Sequence, residues 1–227
     1  NLLRSISHDL RTPLTAISGN ASNLLSNGKL FDAQTKEQMY TDIYDDAMWL
    51  INLVENLLSV SRLEEGRMNL HMSTELMDEV IAEALRHINR KSADYHLIVR
   101  EPDEYILVQI DVRLIVQVLI NIIDNAIKYT PVGSDIRIEW KKQGDFVLVS
   151  IADNGPGISA EAKPHIFEMF YSASAKIADS RRSMGLGLAL CKSIVNAHGG
   201  EISVADQIPH GTIFTFSIPS GEVELHE

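Results

Sequence analysis

Apolar and small residues recur at alternating steps of four and three along the first part of the chain. Such spacing places each series on one face of an α-helix and is typical of helices that pack along a seam. The sequence Asn27-Gly28-Lys29 predicts the end of a first helix, and the stretch from Arg62 to Gly66 closes a second. The first series is Leu3, Ser7, Leu10, Leu14, Ile17, Ala21 and Leu24, and the second is Ile43, Ala47, Leu50, Val54 and Leu57.

These apolar faces are too wide to be buried within an isolated hairpin. Trp49, Leu53 and Leu58 widen the face of the second helix. A four-helix bundle made by two chains would bury both faces, so we predict a homodimer. The alternative is a hairpin that docks on the rest of its own chain.

Composition narrows the classes of partner. The chain has 227 residues, 45% of them apolar, and a formal net charge of -11, which argues against nucleic acid and against direct contact with anionic membranes. The single cysteine, Cys191, excludes an internal disulfide framework. No apolar run reaches the length of a membrane span. Because the chain starts abruptly in a helical pattern, we expect it to be a fragment of a longer protein.

Beyond Gly66 the hydrophobic period changes, and helices alternate with strands that are mostly antiparallel. This pattern favours an α+β chain with two domains, a helical hairpin followed by an α/β sandwich with its helices on one sheet face. Asp111 is a plausible N-cap for its helix. Helices are predicted at 76–89, 111–128 and 183–197, and strands at 105–110, 136–141, 146–152, 201–205 and 212–219. The predicted domains are 1–66 and 73–221, with a linker at 67–72 and a tail at 222–227.

His8 lies near the start of the first helix, within Ser7-His8-Asp9-Leu10-Arg11-Thr12-Pro13-Leu14. Asp9 could hold one imidazole nitrogen in its N–H form and leave the other as a nucleophile. Pro13 removes a helical hydrogen bond and bends the helix beyond the histidine. The alternative is a solvated surface histidine.

Three residues of the helix at 111–128 form one polar stripe, because Asn121, Asn125 and Lys128 are spaced at i, i+4 and i+7. Amide oxygens can ligate a hard cation and an ammonium can meet a phosphate, so the stripe suits a magnesium-bound triphosphate. The alternative is that the asparagines cap loops or satisfy buried backbone groups.

Two glycine-rich segments follow. In Asp153-Asn154-Gly155-Pro156-Gly157, Asp153 could accept a hydrogen bond from an adenine amino group while the glycines allow close backbone approach. The segment Gly185-Leu186-Gly187 opens a helix and could present backbone N–H groups to phosphates. The preceding stretch at 171–184, with Lys176, Arg181 and Arg182, is typical of a mobile lid. An ordinary turn and a disordered surface loop are the alternatives.

Together these motifs resemble the transmitter core of sensor histidine kinases. The H box matches at 7–14, the N box at 121–129, the G1 box at 153–158, the F box at 167–171 and the G2 box at 185–188, in the order of that family. The region around His8 is most similar to the potassium-responsive, KdpD-type sensors.

The resemblance implies a dimerisation and phosphoacceptor domain followed by a Bergerat-fold ATP-binding domain. His8 would be autophosphorylated from ATP and would pass the phosphoryl group to an aspartate on the receiver domain of a cognate response regulator. Asp9 would orient His8, and Thr12 matches the position that helps to dephosphorylate the regulator. The fragment would be the cytoplasmic portion of a membrane-anchored bacterial sensor, without direct membrane contact of its own.

The resemblance also implies the ligands of ATP and Mg²⁺. Asn125, with Asn121, would hold the metal, Lys128 and Tyr129 would contact phosphate and nucleotide, and Asp153 would recognise adenine. The remaining nucleotide contacts would be Gly155, Gly157, Phe170, Arg181, Gly185, Leu186, Gly187 and Thr212. The chain departs from the family at Ser183-Met184, where further Gly and Thr or Ser usually precede the second glycine motif.

Two other functions share this ATP fold. Chaperone, topoisomerase and mismatch-repair ATPases place a water-activating glutamate four residues before the N-box asparagine, a position that Asn121 occupies here. Transfer to His8 is therefore favoured over hydrolysis. The second alternative is a non-catalytic dimeric scaffold whose nucleotide site has decayed, and the departure from the family at Ser183-Met184 supports it. Whether a chain phosphorylates itself or its partner depends on the handedness of 25–35, which stays open.

Overall fold

The computed structural model describes residues 2–64, 70–88, 94–171 and 185–222. The chain forms two compact units, a helical unit built on residues up to Arg62 and an α/β unit built on residues from Leu63 onward. No helix in the described ranges is both long and apolar enough to cross a membrane.

The helical unit consists of α1 (Leu2–Asn27) and α2 (Ala33–Glu64). Helix α1 contains Pro13 and ends directly before Gly28, as predicted. A side chain at position 28 would clash with the carbonyl oxygen of Leu24, so glycine is needed there for close approach. Asp32 begins α2 by accepting a hydrogen bond from the backbone N–H of Thr35, at 2.7 Å.

The apolar face of α2 is only partly covered within the chain. Leu53 and Asp46 are buried, whereas Val54, a member of the predicted seam, is half exposed. An outer stripe of apolar side chains lies on the side of the helix opposite Asp46 and Leu53, as the spacing at about 100° per residue requires. We call it the α2 stripe, and it consists of Tyr40, Tyr44, Ile51 and Leu58, which are 60%, 64%, 50% and 52% exposed.

The α/β unit contains a five-stranded sheet in the order β2-β4-β5-β7-β6, parallel between β2 and β4 and antiparallel elsewhere. Strands β1 and β3 form a separate antiparallel pair. The elements are β1 (Ser73–Leu76), α3 (Met77–Arg86), β2 (His96–Arg100), β3 (Leu107–Ile110), α4 (Val112–Tyr129), β4 (Asp135–Gln143), β5 (Phe146–Asp153), α5 (Gly187–Ala197), β6 (Ile202–Asp206) and β7 (Thr212–Pro219).

The helices pack on one face of the sheet, so the predicted sandwich is confirmed. Alternate residues of the three central strands are buried towards α4 and α5, because successive side chains of a strand point to opposite faces. This inward face is made by Ile136, Ile138, Trp140, Val147, Val149, Ile151, Phe214, Phe216 and Ile218.

The structure corrects several predicted boundaries. The helix predicted at 76–89 is α3, which spans Met77–Arg86, because residues 73–76 pair with β3 instead. The strand predicted from Tyr105 begins at Leu107. The helix predicted from Ser183 begins at Gly187, since Gly185 has a left-handed φ of 63°; Ser183-Met184 lies outside the described residues. Strands β1 and β2 were not predicted.

Candidate nucleotide site

The N-box residues lie on the second half of α4. Asn121 and Asn125 are half-buried, whereas Lys128 and Tyr129 are exposed, with the Lys128 Nζ atom 5.4 Å from the centre of the Tyr129 ring. The Asn121 side-chain oxygen accepts a hydrogen bond from Gln117 Nε2 at 3.2 Å. Its Nδ2 atom is buried, and the Cys191 thiol on α5 is its hydrogen-bonding neighbour.

The carboxylate of Asp153 is held at the end of β5 by two backbone donors. Its Oδ1 atom accepts hydrogen bonds from the N–H groups of Gly155 at 2.8 Å and Thr212 at 3.2 Å. These bonds use one carboxylate oxygen and leave Oδ2 available to a ligand. Desolvation by burial raises the pKa of Asp153 above its ordinary value, although the two hydrogen bonds oppose that rise.

The two glycines of the G1 box and Gly211 pack closely around Asp153. A Cβ atom on Gly155 would lie 2.5 Å from the Cγ2 atom of Thr130, the residue that follows α4. A Cβ atom on Gly211 would clash with the carbonyl oxygen of Asp153, and the φ of 120° at Gly211 is itself unfavourable for other residues. Gly157 also has a positive φ, of 78°. The loop therefore depends on glycine for both conformation and close approach.

The F and G2 boxes meet through their backbones. The N–H of Phe170 donates to the carbonyl oxygen of Gly185 at 3.0 Å, and Phe170 has a φ of 65°, which is rare for a bulky residue. The Leu186 side chain is buried, so its contact with a nucleotide would come from its backbone. Gly187 opens α5, where an added Cβ would lie 3.7 Å from Cγ of Asn121.

Helix α4 thus brings the predicted nucleotide residues of the α/β unit together. Asn121, in the second half of α4, faces Gly187 of the G2 box. Thr130, directly after the last residue of α4, lies against Gly155 of the G1 box. Thr130 belongs to none of the predicted motifs, because its position beside the first glycine loop depends on a contact across the fold. Arg181 and Lys176 lie outside the described residues.

The H-box motif lies on α1, in the helical unit. Residues His8 and Asp9 belong to the helix, but their side chains lie outside the described part. Thr12, one turn later, is exposed, and Pro13 is buried. The backbone therefore places His8 and Thr12 on the same helix face at i, i+4.

Two other titratable groups near α4 are perturbed by desolvation. Asp124, beside Asn125, is exposed on the surface of α4, and neighbouring protein atoms raise the pKa of its carboxyl to about 6 by partial desolvation. Burial raises the pKa of the Cys191 thiol to about 12, and its Sγ atom contacts the Val118 carbonyl oxygen at 3.8 Å. The thiol is therefore inert as a nucleophile.

Two family profiles match the chain. Residues 1–66, which include α1 and α2, match the family described as His Kinase A (phospho-acceptor) domain. Residues 110–222, from the end of β3 to beyond β7, match the family described as Histidine kinase-, DNA gyrase B-, and HSP90-like ATPase.

Relatives and solved structures match over nearly the whole chain. The sensor protein KdpD of Clostridium acetobutylicum is 46% identical over 219 residues, which are 96% of this chain and 24% of KdpD. The chain spans about a quarter of the length of its two KdpD relatives. The Acinetobacter baumannii histidine kinase AdeS superposes with a TM-score of 0.71 at 27% identity, covering 95% of this chain and 98% of AdeS. Histidine kinase ThkA in complex with response regulator protein TrrA gives a TM-score of 0.72 at 26% identity. The match covers 97% of this chain and 61% of the ThkA chain.

Proposed function

Because this chain belongs to the sensor histidine kinase family and its transmitter core is of the KdpD type, we propose that it phosphorylates His8 from ATP. The phosphoryl group then passes to an aspartate on the receiver domain of a response regulator. The motif resemblance to this family is confirmed by the comparisons, and the roles of individual residues are part of the proposal.

The arrangement around α4 is the observation that carries the ATP site. One helix presents Asn121 to the G2 glycine and, through Thr130, touches the G1 glycine beside Asp153. Asp153 Oδ2 would accept a hydrogen bond from the adenine amino group. Gly155 and Gly157 let the backbone approach the base, and Thr212 lies beside them through its bond to Asp153. Lys128, Tyr129, Phe170, Arg181 and the backbone of residues 185–187 would contact the phosphates and the rest of the nucleotide.

The residues on α4 also fit a magnesium-bound nucleotide. Asn125 is half-buried one helical turn after Asn121, on the same face of α4. Since the Asn121 oxygen already accepts a hydrogen bond from Gln117, we assign Asn125 as the main metal ligand and Asn121 as its support. When bound, Mg²⁺ would neutralise negative charge on the phosphates.

On α1, Asp9 would hold the His8 imidazole in the tautomer that can attack the γ-phosphate. Thr12, exposed one turn after His8, would serve the opposing phosphatase activity by helping water to hydrolyse the regulator's aspartyl phosphate, which releases inorganic phosphate. Asn121 occupies the position where the related ATPases carry a glutamate, and an amide cannot act as a general base for water. Transfer to His8 is therefore favoured over hydrolysis.

The α2 stripe supports a homodimer. Its four apolar side chains are half exposed or more, and a second copy of the helical unit would cover them in a four-helix bundle. The partner on the regulator side is supported by the complex of ThkA with TrrA. We further propose that the chain is the cytoplasmic portion of a membrane-anchored sensor, as the KdpD relatives suggest.

Labelling with γ-³²P-ATP and magnesium tests the proposal. The wild-type chain should gain acid-labile, base-stable label, and His8→Gln should gain none. Thr12→Ala should keep the label but remove phosphate from a phosphorylated regulator more slowly than wild type. Absence of label in the wild type, or its persistence in His8→Gln, would contradict the kinase proposal, and ATP turnover without label would indicate an ATPase.

A further inference from the structure

The side-chain amide of Asn121 is held from two sides within the α/β unit. Its Oδ1 atom accepts a hydrogen bond from Nε2 of Gln117, one helical turn earlier on α4, at 3.2 Å. Its Nδ2 atom is buried, with the Cys191 thiol of α5 as its hydrogen-bonding neighbour. Gln117 therefore extends the polar stripe of the N box by one turn towards the start of the helix.

These neighbours distinguish the two ends of the amide. The oxygen and the NH₂ group of asparagine are similar in size, so hydrogen bonds decide which of them faces which neighbour. The Cys191 S–H donates to the Val118 carbonyl oxygen, with Sγ and O 3.8 Å apart, and its sulfur can then only accept. The Asn121 NH₂ group is therefore directed to the thiol and its oxygen to Gln117.

The orientation matters because the oxygen is the end of the amide that a ligand can reach. The Nδ2 atom is buried, whereas Asn121 as a whole is half-buried. The bond from Gln117 uses one lone pair of the oxygen and leaves a second, which suits a hard cation or a water molecule bound to one. A Cβ on Gly187 would lie 3.8 Å from Oδ1, so glycine keeps that side of the oxygen uncovered.

We propose that Gln117 is a positioning residue of the nucleotide site, which with the buried Cys191 fixes the Asn121 oxygen towards the magnesium of the bound nucleotide. Gln117 comes eight residues before Asn125, about 12 Å away along the helix axis, and so acts through Asn121. The inference deepens the proposed ATP site and rests on it.

Gln117→Glu reverses the hydrogen bond. A carboxylate can only accept, so the Asn121 NH₂ group would turn towards it and the oxygen would turn away from the ligand. Calorimetry on the full chain gives Kd for ATP with Mg²⁺ and with EDTA, and their ratio measures the preference for the magnesium complex. We expect this preference to fall by about five- to tenfold. The added negative charge alone would raise it, because it attracts the cation.

Gln117→Met removes the donor without adding charge, and its length and helix propensity are similar. Kd for MgATP should rise by about two- to fivefold, with Kd for ATP in EDTA within about twofold of wild type. In an Asn121→Ala background the same substitution should change neither constant, because no amide remains to be oriented. Gln143→Met and Gln143→Glu, at an exposed glutamine that ends β4, are the matched controls and should leave both constants unchanged.

The contribution of Cys191 is tested by a conservative pair. In Cys191→Ser the hydroxyl group can accept from the Asn121 NH₂ group and donate to the Val118 carbonyl oxygen, whereas Cys191→Ala can do neither. We expect the serine variant to keep the preference for MgATP and the alanine variant to lose it as Gln117→Met does. The two preferences can be compared even where both substitutions lower the melting temperature.

Two results would overturn the inference. One is a preference for MgATP that is unchanged or raised in Gln117→Glu. The other is an equal rise of both dissociation constants in Gln117→Met that persists in the Asn121→Ala background, as expected if Gln117 only stabilises α4. The proposed kinase function fails differently, because the wild-type chain would then bind MgATP without gaining label on His8.

Discussion

The two units of this chain differ in how completely each buries its own apolar surface. In the α/β unit, α4, α5 and the sheet enclose a continuous core in which Ile115, Leu119 and Ile138 are fully buried. In the helical unit, the α2 stripe leaves large side chains half exposed or more. One unit therefore buries its apolar core within a single chain, whereas the other keeps an exposed apolar surface, which the proposed second chain would cover.

This difference matches the chemistry proposed for each unit. A nucleotide site depends on fixed positions, and the α/β unit supplies them through buried contacts such as those of Asp153 with Gly155 and Thr212. A phosphoacceptor must be reached by ATP and then by a regulator, so its helix has to stay accessible. We therefore expect substitutions in the two units to fail in different ways.

The largest effect is expected at Gly211, where close packing against backbone coincides with a φ of 120°. In Gly211→Ala the added Cβ meets the Asp153 carbonyl oxygen at a φ of 120°, which should lower the free energy of unfolding of the α/β unit by about 3 kcal/mol or more. Gly144→Ala is the matched control, because φ is 63° there and no atom lies within 4 Å, so about 1 kcal/mol is expected.

Urea unfolding measures this difference. In a Trp49→Phe background the remaining tryptophan, Trp140, is buried in the α/β unit and reports on that unit by fluorescence. Equal losses of stability in Gly211→Ala and Gly144→Ala would show that the loop at Gly211 relaxes around the added methyl group. The α/β unit would then not be the rigidly packed unit that the comparison with the helical unit assumes.

Asp153→Asn should separate ligand recognition from stability. Gly155 and Thr212 both donate to Oδ1, so the amide oxygen of asparagine should take that position and direct its NH₂ group towards the adenine amino group, donor against donor. We expect ATP affinity to fall by about 10- to 100-fold, from about 1.4–2.7 kcal/mol of lost interaction. Nucleotide titration by calorimetry measures this loss.

The stability of Asp153→Asn should not fall at neutral pH. Burial raises the pKa of Asp153 in the folded state, so ionisation above that pKa opposes folding, and the neutral amide avoids this penalty. The exposed Asp145→Asn provides the control for both measurements. A melting temperature that drops together with ATP affinity would mean that the carboxylate mainly holds the loop.

The sequence predicted the local features and missed those that depend on distant contacts. The N-cap at Asp111 and the helix end before Gly28 were predictable because their signals lie within one turn of chain. Strand β2 was missed because its residues 97–99 are a short apolar run without alternation, and it pairs in parallel with β4 far along the chain.

The same distinction holds for the candidate site. Asp153 and the glycines were visible as motifs in the sequence. Thr130 instead contacts Gly155, which lies 25 residues away in the chain, and His198 contacts Asp111, which lies 87 residues away. The predicted α2 seam did not include Tyr40, Tyr44 or Ile51, three of the four members of the α2 stripe, for a similar reason. Spacing shows that the apolar face is wide, but only packing decides which half of it the chain covers itself.

The smallest effect is expected on the α2 stripe, and it tests the incomplete half of the comparison. Ile51 is 50% exposed, so covering the remainder in a dimer should contribute about 1 kcal/mol per chain. Ile51→Ser should therefore raise the dimer dissociation constant by about 30-fold, counting both copies. Sedimentation equilibrium measures it, and Gln38→Ala, exposed on another side of α2, is the control. If the Ile51→Ser and Gln38→Ala dimers have the same dissociation constant, the stripe is not the surface that the second chain covers. A wild-type chain that is monomeric at micromolar concentration and still phosphorylates His8 would show that the reaction needs no second chain.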